Sequence, residues 1–393
     1  MTQIHLAAAL DGAGWHPAAW REAGADAGGL FTLRHWARVV ARAEAGLLDL
    51  VTFEDALAPQ SDAPSVPDAR TDRVRGRLDA VLLASALAPL TTRIGLVPTA
   101  VVTHTEPFHL AKAVATLDHV SRGRAGVRVR VSADPAEAAN VGRRDDLVSR
   151  RPGAPSDPVL VEDLFSEAAD WVEVQRRLWD SWEDDAEIRD VASGRFINRD
   201  KLHYVDFVGS RFSVKGPLIT QRPPQGQPVV AALAHVPVAY DLVATSADVG
   251  FVTPADDADV SRIVGEVGRR AAAAGRSPLV LGDLLVVLGE TAAAARSRLD
   301  RLDERAGSPL TSDARIVVGT PADLADLLVH WHGLGLDGFR LRPATHAYDL
   351  PLIADEVTAE LRRRGVFRDA YEATTLRGLL GLQRPENRYA RTA

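Results

Sequence analysis

Short runs of almost wholly apolar residues alternate along this chain with longer segments whose apolar positions recur every three or four residues. The runs at 4–10, 48–53, 94–102, 126–132, 229–234, 249–253, 279–288 and 338–341 read as strands buried on both faces. Between them, 33–45, 78–87, 110–120 and 161–182 carry helical spacing. Repeated strand–helix units of this kind predict an α/β chain, most economically a (β/α)8 TIM barrel, because each crossover helix covers the sheet on one side. Two stretches break the rhythm. Residues 59–73 and 140–158 are crowded with Pro, Asp, Ser and Arg, and read as exposed loops after the second and fourth strands, on the face where barrels carry their sites. Loops of that length either cover a site or are simply disordered.

Composition narrows the class. At 393 residues, with 46% hydrophobic and 25% charged residues, the chain can bury a large core as one barrel domain spanning 1–393. A net charge of −7 argues against a nucleic-acid partner or an anionic membrane surface. Without cysteine there is no disulfide, thiolate nucleophile or sulfur-ligated metal. The first residues lack the basic leader and long apolar run of a signal peptide or membrane span, so a cytoplasmic protein is expected.

One stretch escapes periodicity altogether. Trp171, Trp179 and Trp182 precede the acidic run Glu183, Asp184 and Asp185; the phrases GRFINRDKLHYVDFVGSRFSVKGPL and QRPPQGQPV follow. With LVTFED at 50–55, RIGLVPTA, EPFHLAKAVATLDHVSRGRAG, GLDGFRL and the C-terminal block from VTAELRRRGVFRDAY to LLGLQRP, the chain resembles the luciferase-like flavin monooxygenases over essentially its whole length. The similar subgroup comprises the nitrilotriacetate, desulfurisation and pristinamycin-synthase monooxygenase components. The resemblance implies a barrel with an inserted subdomain at about 186–227 and a C-terminal extension at about 365–393. It also implies reduced FMN supplied by a separate flavin reductase, oxygen, and a small-molecule substrate. A homo-oligomer is expected, with the segment after Arg364 packing on a neighbour. In such a site the cofactor carries the chemistry, and the barrel mouth supplies a dry, covered cavity.

By that resemblance Asp55 ends the second strand beside the flavin, and Thr99 lies on the third strand. Elsewhere the chain departs from its family. The phosphate turn, usually Gln-Ala-Gly-x-Ser, ends here in Ala234, His235 and Val236, so the hydroxyl ligands are gone while Pro237 still opens a helix. His235 either replaces a ligand or is a plain strand-end histidine. Val101 and Val102 stand where the family has hydroxyls, and Phe165 where it has a tyrosine that reaches the cofactor. Arg128 replaces an asparagine. Arg128 and Arg130 share one side of their strand, where they bind a phosphate or acidic substrate, or pair with Glu54 or Asp55, the commoner fate of barrel arginines. His104, just after the third strand, is the acid–base candidate. The acidic run is adjacent rather than spaced on one face, so no metal is assigned. The leading reading is a two-component flavin-dependent monooxygenase. A homologue with a degenerate flavin site, acting as a non-catalytic subunit or ligand-binding protein, is the second, and a deazaflavin-dependent oxidoreductase the third.

Overall fold

The computed structural model describes residues 3–61, 66, 68–151 and 157–390. Eight parallel strands form a closed ring: β1 (His5–Leu10), β2 (Leu50–Phe53), β3 (Gly95–Val101), β4 (Gly126–Arg130), β5 (Val229–Ala234), β6 (Val249–Val252), β7 (Leu279–Leu288) and β8 (Gly338–Pro343). Each pairs with the next, and β8 returns to β1. Helices α1 (Leu33–Ala45), α2 (Ala80–Leu87), α3 (Pro107–Ser121), α4 (Pro158–Asp180) and α5 (Pro237–Ser246) lie on the outside with the later crossovers. Their starts follow from local chemistry. Thr32, Asp79 and Asp157 accept hydrogen bonds from backbone N–H groups of α1, α2 and α4, and α3, α4 and α5 open on proline, which has no N–H to satisfy.

Two local expectations are corrected. Of the stretch 140–158, residues 152–156 lie outside the described residues, and the part before them is not a plain loop: it holds the end of a short helix, Pro135–Val141, and the turn Asp145–Val148, clamped where Arg144 meets Asp146, Asp163 and Glu167. Of the stretch 59–73, residues 62–65 and 67 lie outside the described residues, and the rest has no helix or strand. A further strand, Arg315–Gly319, does not belong to the ring. It exists because β7 has ten residues and β6 only four: β6 pairs with Leu279–Gly282, and Arg315–Gly319 takes the remaining edge from Leu284 to Leu288. This pairing sets Asp313, two residues upstream, over the barrel's C-terminal end.

The insertion contributes two small hairpins, Glu187–Asp190 with Arg195–Ile197 and Phe207–Val208 with Ser213–Val214. The three tryptophans before it are anchors. Trp171 donates its indole N–H to the Thr105 carbonyl at 3.3 Å, Trp179 to Ala111 at 3.1 Å and Trp182 to Leu218 at 2.7 Å. Large rings are buried here without an orphaned donor. The acidic run serves as a staple: Asp184 binds Arg222 and Arg384, Glu183 binds His203, and Asp185 binds Lys201.

Part of the segment after Arg364 packs on its own barrel, under the N-terminal ends of the strands. Leu376 and Leu380 join Ala7, Leu50, Val97, Val229, Val249, Phe251 and Leu281 in one apolar floor. Gly95 and Gly126 make room for it: a Cβ on Gly95 would sit 2.5 Å from Leu376 Cδ1. Arg377 fixes the plug, donating to the Gln227 carbonyl at 2.6 Å and to Asp248 at 3.1 Å.

Candidate active site at the barrel mouth

With its floor sealed, the barrel opens only at the C-terminal ends of the strands, the end at which such barrels hold ligands. A cavity of about 340 Å³ lies there, at the small end of the usual range for ligand sites. Its apolar wall comes from Trp15, Phe165, Leu233, Val129 and Val131, and its polar wall from arginines and acids.

The polar wall is a chain of buried ion pairs running across the mouth. Glu54, just past β2, takes Arg128 of β4 on one oxygen and Arg340 of β8 on the other, the latter at 3.1 Å. Asp283 of β7 accepts from Arg342 at 2.5 Å and lies 3.7 Å from Arg340. Arg342 then grips Asp313 with both terminal nitrogens, one bond at 3.1 Å, and Asp313 stands 3.3 Å from His235 Nε2. Alternation along β8 puts Arg340 and Arg342 on the same inner side. Trp15 covers both guanidinium groups, at 5.9 and 4.6 Å from the ring centre.

Titration follows from these neighbours. Burial pushes Glu54 up, but Arg128 and Arg340 outweigh it and hold the carboxyl below its ordinary value. Burial pushes Arg128 down to about 10, which leaves it charged at neutral pH. For Asp313, burial is overcome by the hydrogen bonds and charge of Arg342, and its value falls to about 2. Burial lowers His235 against the pull of Asp313. Its imidazole is therefore neutral, with Nδ1 2.9 Å from the Thr253 hydroxyl. Because the Asp313 carboxylate only accepts, the proton sits on Nε2.

The sequence candidates fall into four groups. Arg128, Phe165 and His235 line the cavity together, with Arg130, which also binds Glu137 at 2.7 Å. Thr99 and Ala234 stand behind it: the Thr99 hydroxyl accepts from Arg128 Nε at 2.9 Å, and Ala234 is the buried last residue of β5. Val236 caps α5 with no side-chain hydrogen bond and is 45% exposed. Asp55 and His104 are not brought to the cavity. Asp55 accepts from the backbone N–H groups of Ala56 and Ala80 at 2.8 and 3.0 Å, and so holds the start of α2. His104 is buried with no hydrogen bond on either ring nitrogen, and burial lowers its pKa.

Sequence reasoning missed Arg340, Arg342, Asp283, Asp313 and Trp15. A signal was present for three of them. A strand buried on both faces should be apolar throughout, yet GFRLRP and LVLGDLLVVL carry charges at positions that must face the barrel interior. Among the described residues no group of His, Asp and Glu could hold a metal ion, and no helix is long and apolar enough to cross a membrane.

Comparison with known proteins agrees with this architecture. The sequence profile of the luciferase-like monooxygenases matches residues 13–338. N-acetyl-S-(2-succino)cysteine monooxygenase of Bacillus subtilis is 30% identical, with 99% of each chain covered. Nitrilotriacetate monooxygenase component A of Aminobacter aminovorans is also 30% identical, over 99% of this chain and 98% of its own. A riboflavin lyase solved with modified FMN and riboflavin superposes with a TM-score of 0.83 over 98% of both chains at 24% identity, a likeness of fold.

Proposed function

This chain belongs to the luciferase-like monooxygenase family, and from that premise we propose that it is the oxygenase component of a two-component flavin-dependent monooxygenase. In this reading it receives reduced FMN from a separate reductase and oxidises a small organic substrate. The observation that carries the reading is the mouth cavity itself, walled by flat apolar groups on one side and arginine donors on the other.

The residues present fit a flavin better at the ring than at the phosphate. Trp15, Phe165 and Leu233 offer an apolar bed that keeps water out, and Arg128 and Arg340 set a positive potential that favours an anionic ring. At the phosphate end the start of α5 offers little: Pro237 has no N–H, Ala239 and Tyr240 donate to the Val236 carbonyl, and the Val238 N–H remains, with neutral His235 beside it. Asp313, 3.3 Å from His235, opposes a second anion there. Bound reduced flavin supplies the electrons that let oxygen give one atom to the substrate and leave the other as water. The chain's own part is to shield that site, hold the substrate and keep the surrounding charges fixed.

The rebuilt phosphate turn favours one other reading, a homologue that has lost productive flavin binding and acts as a partner subunit. One titration separates the two. Oxidised and reduced FMN added to the purified chain, followed by flavin fluorescence or heat, gives saturable binding if the oxygenase reading holds. No saturation up to high micromolar flavin overturns it in favour of the partner subunit.

A further inference from the structure

The ion-pair chain across the mouth is unbalanced without Asp313. Its buried members are Arg128, Arg340 and Arg342 against Glu54 and Asp283, three cations to two anions, and Arg340 is 0% and Arg342 3% exposed. The adjoining pairs Arg130 with Glu137 and Arg77 with Asp11 are neutral by themselves, and His235 is uncharged. Asp313 supplies the missing charge from outside the barrel. Its side chain is 48% exposed, and it belongs to neither helix nor strand. One further fact sets the place apart from the salt bridges elsewhere: Arg342 and Asp313 both border the cavity, so their bond can open toward it. Arg340 Nε and Nη1 and Arg342 Nε are buried donors with no hydrogen-bond partner, although both arginines line the cavity. Idle donors also occur on Arg176, Arg276 and Arg368 away from the cavity, so it is the open border of Arg342 and Asp313 that marks the place.

We infer that Arg340 and Arg342 form a recognition site for a small organic carboxylate, and that Asp313 is its resident stand-in, displaced when the ligand arrives. The two-pronged grip on Asp313 shows which ligand shape the site accepts: a planar pair of oxygens matched to the guanidinium fork. The incoming carboxylate takes over the single charge that Asp313 supplied. Trp15, lying over both guanidinium groups, is placed to report the exchange. The inference deepens the oxygenase reading by naming a substrate class, and rests on that reading only for the chemistry that follows binding.

The test uses the full chain without flavin, at constant ionic strength held with chloride. Succinate is titrated against inorganic phosphate, with tryptophan fluorescence as the readout and Trp15→Phe identifying the signal. A saturable change with succinate is expected, lost in Trp15→Phe, with succinate bound about tenfold more tightly by Asp313→Asn because no internal carboxylate competes. Succinate should also raise the melting temperature of the wild-type chain in proportion to occupancy, a readout independent of any variant's folding. No saturable response to succinate, or equal affinity in wild type and Asp313→Asn, overturns the inference. Tighter binding of phosphate than of succinate overturns the carboxylate assignment. Succinate binding without flavin binding keeps this site and sinks the oxygenase reading; flavin binding without succinate binding does the reverse.

Discussion

The two ends of this barrel both bury arginine, and they use it differently. At the floor, Arg124 donates to Ser121, Thr91, Ile94 and Ala88, and Arg377 binds Gln227, Asp248 and the Gln383 carbonyl, so no donor of either is idle. At the mouth, Arg340 keeps two donors unused and Arg342 one. Idle donors do not by themselves divide the ends, since Arg176 and Arg276 beside Asp248 also keep Nε unpaired; the difference is access, because the floor is closed by Leu376 and Leu380 while the mouth borders a cavity. The mouth holds the same chemistry beside an open cavity, where a ligand can enter.

Breaking one joint at each end should separate these roles. Glu54→Gln removes the anion shared by Arg128 and Arg340, leaving Arg128 without a carboxylate partner and Arg340 with Asp283 at 3.7 Å, so unfolding in urea should show a loss of about 3–5 kcal/mol. At the floor, Leu376→Ala opens a cavity under fully buried Leu376 and should cost about 2–5 kcal/mol by the same measurement. The contrast lies in binding. Glu54→Gln adds surplus positive charge and should tighten succinate binding, whereas Leu376→Ala should leave it unaltered in the folded fraction. Equal effects on binding from both variants would erase the distinction between the two ends.

A third prediction concerns the histidine side of the mouth. His346 follows β8, is buried, and is pushed down by burial to about 3 from an ordinary 6.5. Its folded value lies below its unfolded one, so the unfolded chain binds the proton first. The stability tied to the neutral ring is complete above pH 6.5 and declines as pH falls toward 3, by about 1.4 kcal/mol per pH unit inside that window. Melting temperatures at pH 7 and pH 5 should therefore differ by less in His346→Gln than in the wild type. His35 and His16, lowered in the same direction, leave part of the slope in place.

The difference between the two ends also explains what the sequence disclosed. Strand periodicity identified the eight barrel strands to within a few residues, because burial on both faces forces continuous apolar runs. The phrases shared with the family proved to be joints: Gln225 ties Asp118 to Ala125, Gln227 ties Arg176 to Asp180, and the tryptophans anchor α4. Such motifs identify ancestry because the joints admit few alternatives. The joints made by Gln225, Gln227 and the tryptophans lie away from the mouth, however, and so say little about the ligand. The pairing of Arg128 with Glu54 was among the readings open from the sequence. Asp313 was not legible, since its position depends on the mismatch in length between β6 and β7, a tertiary fact with no local signature.

The smallest expected effect probes the phosphate end. Val236 caps α5 with an apolar, 45% exposed side chain and leaves the first N–H groups of that helix without a side-chain partner. Val236→Ser supplies a hydroxyl cap, which should stabilise the chain by about 1 kcal/mol in urea unfolding. If FMN enters as proposed, the wild type should barely distinguish it from riboflavin, because backbone groups alone meet the phosphate while Asp313 repels it. Val236→Ser should then improve FMN by less than about tenfold and leave riboflavin unchanged, and adding Asp313→Asn should widen the gap. A wild-type chain that already prefers FMN by orders of magnitude would show that the phosphate site survives the loss of its hydroxyls. The two ends of the barrel would then differ less than their arginines suggest.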